Sequence, residues 1–171
     1  MNKIKQRKIC LDKRKSLDEE IRKEYSKIIC DKLFSLNLNG NISSYYPFND
    51  EVDITAFNNL NNVYYPVINN KEMDFYRPID NQFIMNKYHI LEPDINKSIK
   101  INKNDLNYML IPCVGFDDNL YRIGYGGGYY DRYLKDYEGI KIGISFDIQK
   151  IDQIITDEYD IKLDMIITEK K

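Results

Sequence analysis

Four glycines, Gly124, Gly126, Gly127 and Gly128, crowd into one short segment of a chain that has only eight in all. Arg122 precedes them, and Asp131 and Arg132 follow. Glycine reaches φ > 0 without steric cost and lets a backbone approach a bound group closely, but it costs entropy on folding. Such clustering therefore needs a backbone reason. An apolar run from Tyr108 to Val114 lies upstream, and a helix-forming stretch from Tyr129 to Lys135 lies downstream. Strand, glycine loop and helix together direct backbone N–H groups and a helix N-terminus at an anion, most often a phosphate. We read the segment as a nucleotide-phosphate loop. It matches neither of the two best-known nucleotide loops. A Gly-x-Gly-x-x-Gly frame from Gly124 demands glycine where Tyr129 stands, and Gln149 sits where a ribose-binding acid would fall. No Gly-Lys-Ser/Thr occurs anywhere. The competing reading is a tight turn whose tyrosines pack on the core.

Two other segments carry candidate chemistry. Asp50-Glu51-Val52-Asp53 is an acidic cluster beyond a strand-like stretch. Turn and cap chemistry accounts for Asp50 and Asp53, which leaves Glu51 as the ligand acceptor. The stretch from Lys3 to Lys15 holds Lys3, Lys5, Arg7, Lys8, Lys13, Arg14 and Lys15 against Asp12. It reads either as the solvated face of a helix or as a local anion site. Elsewhere the inventory excludes more than it offers. One histidine, His89, rules out multi-histidine metal sites and histidine triads and is read as structural. Cys113 lies near the glycine loop, but no base stands beside it, so it is read as a small core residue.

These residues need a scaffold. With 171 residues, 43% hydrophobic and 30% charged, the chain fits one globular domain, 1–171. A net charge of −2 gives no field for nucleic acid. No signal-peptide or membrane-spanning run is expected, and three scattered cysteines suit a reducing cytoplasm. Helices are predicted over 1–14 and 17–36, the second opened by a Ser16/Glu19 capping box and buried through Ile21, Tyr25, Ile28, Ile29, Leu33 and Phe34. Strands are predicted over Ile42 to Phe48, Val63 to Ile68 (ending at Pro66), Met73 to Arg77, Tyr108 to Ile111, Ile140 to Phe146 and Met165 to Thr168. A short helix capped by Asp53 runs through Leu60, and 79–105 is left to loops and short elements. Alternating strands and helices predict an α/β fold with a mostly parallel sheet covered on both faces. Ligands of such sheets bind beyond the carboxyl ends of the strands, where both the glycine loop and the Tyr46–Glu51 segment fall.

Arg122-Ile123-Gly124-Tyr125-Gly126-Gly127-Gly128-Tyr129-Tyr130-Asp131-Arg132-Tyr133-Leu134 closely resembles the signature of the 5-formyltetrahydrofolate cyclo-ligase family, also called methenyltetrahydrofolate synthetases. Other matches follow in order along nearly the whole chain: Lys3 and Arg7, Tyr46, Asp50 to Asp53, Tyr65-Pro66, Met73 to Tyr76, Leu91-Glu92-Pro93, Leu110-Ile111-Pro112, Phe116-Asp117 and Asp160 to Asp164. Ile123, where leucine is commoner, Cys113 and Gly115 are mild departures, and 79–105 matches poorly outside Glu92-Pro93.

The resemblance implies a three-layer α/β/α, Rossmann-like fold with two N-terminal helices, and a monomer or weak homodimer in the cytoplasm. It implies ATP-dependent, Mg²⁺-requiring closure of 5-formyltetrahydrofolate to 5,10-methenyltetrahydrofolate, with ADP and phosphate released. The partners would be those small molecules, with no nucleic acid and no membrane. Phosphorylation of the formyl oxygen makes a leaving group, and N10 then attacks, so no protein nucleophile is required. Residue by residue, the resemblance implies ATP binding by Lys3, Ile4, Lys5, Gln6 and Arg7 and by Arg122, Ile123, Gly124, Tyr125, Gly126, Gly127, Gly128, Tyr129 and Tyr130. Folate binding falls to Tyr46, Glu51 and the loop from Tyr125 to Tyr129. Catalytic roles fall to Arg122, Tyr129 and Lys162. Mg²⁺ falls to Asp131 and Asp160, with Asp164 a rival for the latter. Two alternatives stand beside this one: an ATP-using enzyme of another amide-like substrate, and a nucleotide- or RNA-binding module built on the basic N-terminus.

Overall fold

Two helices open the chain, α1 (Lys3–Lys15) and α2 (Glu19–Ser35), and the computed structural model describes residues 1–170. Asp18, not Ser16, caps α2: its carboxylate accepts from the Ile21 N–H at 2.9 Å, while the Ser16 hydroxyl donates back to the Lys13 carbonyl and closes α1. The chain then forms β1 (Ile42–Ser43), α3 (Thr55–Asn61), β2 (Tyr65–Asn69), β3 (Glu72–Pro78), β4 (Phe83–Met85), β5 (Leu91–Pro93) and β6 (Ser98–Ile101). It ends with β7 (Tyr108–Pro112), β8 (Gly115–Phe116), β9 (Arg122–Ile123), α4 (Tyr129–Leu134), β10 (Ile140–Ile144) and β11 (Met165–Ile167).

The fold is mixed α/β. Strands β1, β7, β10 and β11 form a parallel four-stranded sheet in the order β1-β7-β10-β11. Their side chains alternate between two cores. Leu110, Ile142, Ile144 and Ile167 pack with Ile29 and Leu33 of α2 and Phe57 of α3. Met109, Ile111 and Ile166 pack with Phe75 of β3 and with Tyr133 and Leu134 of α4. The parallel sheet is thus buried on both faces, as predicted. The two covers differ, however: the second pairs a short helix with antiparallel strands.

Those strands are the main departure from expectation. The order β2-β3-β6 is antiparallel, and a bridge from Ser43 to Tyr64 joins it to the parallel sheet. β2 does not stop at Pro66 but runs through it to Asn69. Ile68, two residues on and therefore on the same edge, donates its N–H to the Glu92 carboxylate at 2.8 Å and not to β3. Pro66 therefore lacks a donor only on the edge away from β3, where it costs no ladder bond. The strand foreseen over Ile42 to Phe48 shrinks to two residues. Beyond it, Tyr45 and Ser44 turn their polar atoms to Val52, Asn58 and Tyr64. Asp53 does not cap the next helix as expected: Ile54 takes the N-cap position without a side-chain bond, and Asp53, one residue earlier, accepts from the Thr55 N–H at 2.9 Å in a local turn. His89 is an exposed turn residue at φ 60°, not a packed one.

Candidate active site

Because the sheet is parallel, the carboxyl ends of β1, β7 and β10 open on one side. The glycine loop is not joined directly to β7, as the local pattern suggested. A two-stranded hairpin, β8 with β9, intervenes. Buried Asp117 closes its turn, accepting from the N–H groups of Asn119 and Tyr121 and, across the fold, from Ile154. The hairpin carries Arg122 inward and releases the chain at Gly124. Gly126 (φ 103°) and Gly128 (φ 72°) then take conformations that side chains rarely adopt. α4 is only six residues long. Its dipole is correspondingly weak, so loop N–H groups and nearby cations are left to hold an anion.

α1 lies along this loop because its residues at helical spacing, Lys3, Arg7, Cys10 and Arg14, share one face. The Lys3 ammonium bonds Asp160 at 2.7 Å and Asp157 at 3.3 Å. The Arg7 Nε donates to the Gly124 carbonyl at 2.7 Å, with its guanidinium beside Gly126. Gln6 is buried, donating to the Gln153 carbonyl and accepting from the Ile155 N–H. Its side chain thereby holds the C-terminal segment. Ile4 and Lys5 are exposed on the outer face.

Further along α1, Arg14 is buried. Its Nη2 lies 2.8 Å from the Asp50 carboxylate and donates to the Tyr125 hydroxyl, also at 2.8 Å. Tyr125 in turn donates to Glu51 at 3.4 Å, and the Phe48 N–H donates to the other Glu51 oxygen at 2.7 Å. Burial pushes the Glu51 carboxyl up to about 7 against the pull of the Phe48 N–H, Arg14 and Tyr125. Sequence reasoning left Arg14 in an undivided charge run and Asp50 in a turn. The 3, 7, 10, 14 spacing was the signal that could have picked Arg14 out.

Arg122 is also buried, but loosely held. Its closest carboxylate is Asp131 at 3.7 Å, its guanidinium lies over the Tyr130 ring at 5.2 Å, and its Nε has no hydrogen-bond partner. The Tyr130 hydroxyl is likewise buried without a partner, and burial pushes it well above the usual phenol range. Burial also raises the Asp131 carboxyl, opposed by Arg122 and reinforced by the negative charge of Asp160. The structure thus brings Asp131 and Asp160 together with Lys3 and Arg122. Asp164 lies elsewhere, paired with Lys141 at 3.1 Å beside β10.

Tyr129 and Arg132 fasten the far side of the loop. The Tyr129 hydroxyl donates to the Asn70 carbonyl, and Arg132 spans the Lys71 carbonyl at 2.7 Å and the Gly127 carbonyl at 2.9 Å. Both therefore join the loop to the β2–β3 turn. Tyr46 stands in an aromatic cluster, 5.6 Å from Phe83, which meets Tyr65 edge-on at 5.2 Å. Lys162 is exposed, with no ion pair to the site among the described residues. Cys113 is buried and its thiol is pushed up to about 11 by burial, which fits a core residue and not a nucleophile. Two surface clefts, of about 300 and 210 Å³, are lined by none of the loop residues. The candidate site lies where the loop, α1 and the Tyr46–Glu51 segment meet.

Fold and geometry define a class: an α/β protein in which a basic N-terminal helix and a glycine loop close on an acidic segment at the carboxyl end of a parallel sheet. The model of the 5-formyltetrahydrofolate cyclo-ligase family matches residues 1–169. The chain belongs to that family, a family of ligases. It is 35% identical over 138 residues to the 5-formyltetrahydrofolate cyclo-ligase of Mycoplasma pneumoniae, covering 75% of this chain and 73% of that one. It is 33% identical over 167 residues to the enzyme of that name from Mycoplasma genitalium, covering 94% of each. Its fold matches the solved 5,10-methenyltetrahydrofolate synthetase of Aquifex aeolicus with a TM-score of 0.89 at 31% identity, covering 100% of this chain and 91% of the other.

Proposed function

We propose that this chain closes 5-formyltetrahydrofolate to 5,10-methenyltetrahydrofolate at the expense of ATP. Beside family membership, one observation carries the reading: the glycine loop touches the acidic segment, through Tyr125 on Glu51 at 3.4 Å. A phosphate held by the loop and a ring held by Glu51 are then neighbours, as transfer between them requires.

The formyl oxygen attacks the γ-phosphorus of ATP and the bond to the β-phosphate oxygen breaks, leaving ADP. N10 then attacks the formyl carbon, loses its proton, and the phosphorylated oxygen departs as phosphate. Both steps gather negative charge that positioned cations stabilise. Lys3, Arg7, Arg122 and the N–H groups of Gly124 to Tyr129 hold the phosphates. Arg122 suits this role because its guanidinium is buried yet under-engaged. Lys162 is assigned to the transferring group from the family signature alone, since its exposed side chain makes no ion pair to the site among the described residues. Glu51, when ionised, accepts N–H groups of the pterin ring, and Tyr46 with its aromatic neighbours offers a wall for it. Asp131 and Asp160 would hold Mg²⁺: two adjacent carboxylates completed by phosphate oxygens and water form an all-oxygen donor set for a hard cation. Mg²⁺ bound there supplies charge neutralisation at the phosphates. The remaining parts of the reading are a single cyclo-ligase domain over 1–171, a monomer or weak homodimer, and no nucleic-acid or membrane partner. Three free, buried cysteines suit a reducing cytoplasm, and no helix among the described residues is long and apolar enough to cross a membrane.

The test is the near-ultraviolet absorbance of the methenyl product after protein, ATP, Mg²⁺ and 5-formyltetrahydrofolate are mixed. We expect an ATP-dependent rise with one ADP per product. ATP binding with no product from this folate would overturn the substrate assignment.

A further inference from the structure

The molecule has a second buried guanidinium near the candidate site, on Arg14 of α1. Its contacts are an unusual set for a residue of a surface helix. One Nη reaches both the Asp50 carboxylate, directly before Glu51 in sequence, and the Tyr125 hydroxyl, inside the glycine loop, each at 2.8 Å. The guanidinium also lies 5.8 Å from the centre of the Tyr125 ring. Asp50 is nearly as enclosed as Arg14, with a side chain 14% exposed against 4%. A charge pair this deep persists only if geometry compensates desolvation. Tyr125 itself is half exposed, so the core does not fix it. Arg14 and Glu51 are the groups that hold its hydroxyl.

We infer that Arg14 is a positioning residue for folate recognition: it orients the Glu51 carboxylate from both sides, through Asp50 in the chain and through the Tyr125 hydroxyl in space. This rests on the folate reading of Glu51 given above. Among the described residues, Arg14 meets the loop only through the Tyr125 side chain, whereas Arg7 bonds the Gly124 carbonyl and Arg122 opens the loop. Its effect is therefore on one substrate and not the other. Arginine suits the place better than lysine, because its rigid, planar guanidinium carries the donating Nη at a fixed position between Asp50 and Tyr125 and lies over the Tyr125 ring.

The groups facing Glu51 come from every element around it: Arg14 of α1, Tyr125 of the loop, the Phe48 N–H and Asp50 of its own segment, and, through space, Tyr45, Cys113 and Tyr130 of α4. Arg14 is the one cation among them. Loss of its charge therefore makes Glu51 harder to ionise.

Titration calorimetry with 5-formyltetrahydrofolate and, separately, with a non-hydrolysable ATP analogue tests this on three variants. Arg14→Lys should weaken folate binding about tenfold while leaving the ATP analogue within about twofold, as expected for loss of one charge-assisted contact. Tyr125→Phe should act in the same direction and less strongly. The double variant Arg14→Met with Asp50→Asn removes both charges, so neither is left buried alone. It should move the pH midpoint for folate binding upward. Equal weakening of both ligands, or lower thermal stability with both affinities intact, would overturn the assignment and reduce Arg14 to a structural residue. Absence of folate binding in the unaltered protein would instead overturn the folate reading, and the inference with it.

Discussion

Two buried arginines stand at the candidate site, and the fold treats them in opposite ways. Arg14, from the N-terminal helix, has a carboxylate and a phenol at 2.8 Å. Arg122, from the β8–β9 hairpin, has a carboxylate only at 3.7 Å; both guanidinium groups have a buried Nε without a partner and a tyrosine ring beneath them, so the difference lies in the terminal nitrogens. An engaged guanidinium fixes neighbours, and an under-engaged one at similar burial is ready for an incoming anion, since leaving it unmatched is costly. Burial alone would not have distinguished them.

The sharpest way to break the comparison is Arg122→Met. If Arg122 serves the transferring phosphoryl group, kcat falls by about a thousandfold or more. Thermal stability changes little, because the pair lost, with Asp131 at 3.7 Å, is a loose one. Product formation at saturating substrates, beside a thermal melt, checks this. A large fall in melting temperature with kcat preserved would make Arg122 a structural residue like its counterpart.

A smaller effect is expected at the loop that separates them. Gly126 has φ 103°, and a methyl group there would stand 3.3 Å from the Arg7 guanidinium. Gly126→Ala should lower kcat/KM for ATP by about ten- to a hundredfold while costing on the order of 1–3 kcal/mol of stability through backbone strain. Activity restored on cooling would mean the glycine serves folding first. Asp131→Asn comes next. It should raise the Mg²⁺ concentration for half-maximal activity by about tenfold, the size usual for a lost supporting ligand, and an unchanged requirement would remove Asp131 from the metal's surroundings.

The sequence told these two arginines apart only halfway. Arg122 was legible because it belongs to a short contiguous signature with local glycine spacing. Arg14 was not, because its partners lie 36 and 111 residues away and nothing local marks Asp50 or Tyr125 as its mates. The same division runs through the fold. The parallel strands at Tyr108, Ile140 and Met165 were readable as buried apolar runs. The antiparallel β2-β3-β6 excursion was only partly so. Its β3–β6 pairing spans the polar, asparagine-rich stretch, and several of its turns use positive-φ Asn70, Asp80 and Asn81, where residue type permits a turn without announcing which strands it joins. Asp18 outcompeted Ser16 as a cap for an equally local reason: both types suit the position, and the chain used the one that also adds negative charge to the first turn of α2.

The last effect concerns stability and not turnover, and bears on Glu51, the residue Arg14 is argued to orient. Its carboxyl is raised to about 7 in the folded protein, chiefly by burial. Between the ordinary carboxylate value and about 7, the native state keeps a proton that the unfolded chain has released. Stability therefore falls as pH rises through that window, by an amount on the order of 3 kcal/mol at its upper end. Folate binding runs the other way, because only the ionised carboxylate accepts ring N–H groups without giving one up. Glu51→Gln removes the titration while keeping the shape. Its unfolding free energy in urea should be flatter between pH 5 and pH 8 than that of the unaltered protein, and its folate affinity should be weaker and independent of pH across the same range. If the unaltered protein instead gains stability as pH rises through this window, Glu51 is ionised in the fold well below 7. The Arg14–Tyr125–Asp50 cluster would then stabilise its charge more strongly than burial opposes it, and the two arginines would differ less in what they do than in which anion they hold.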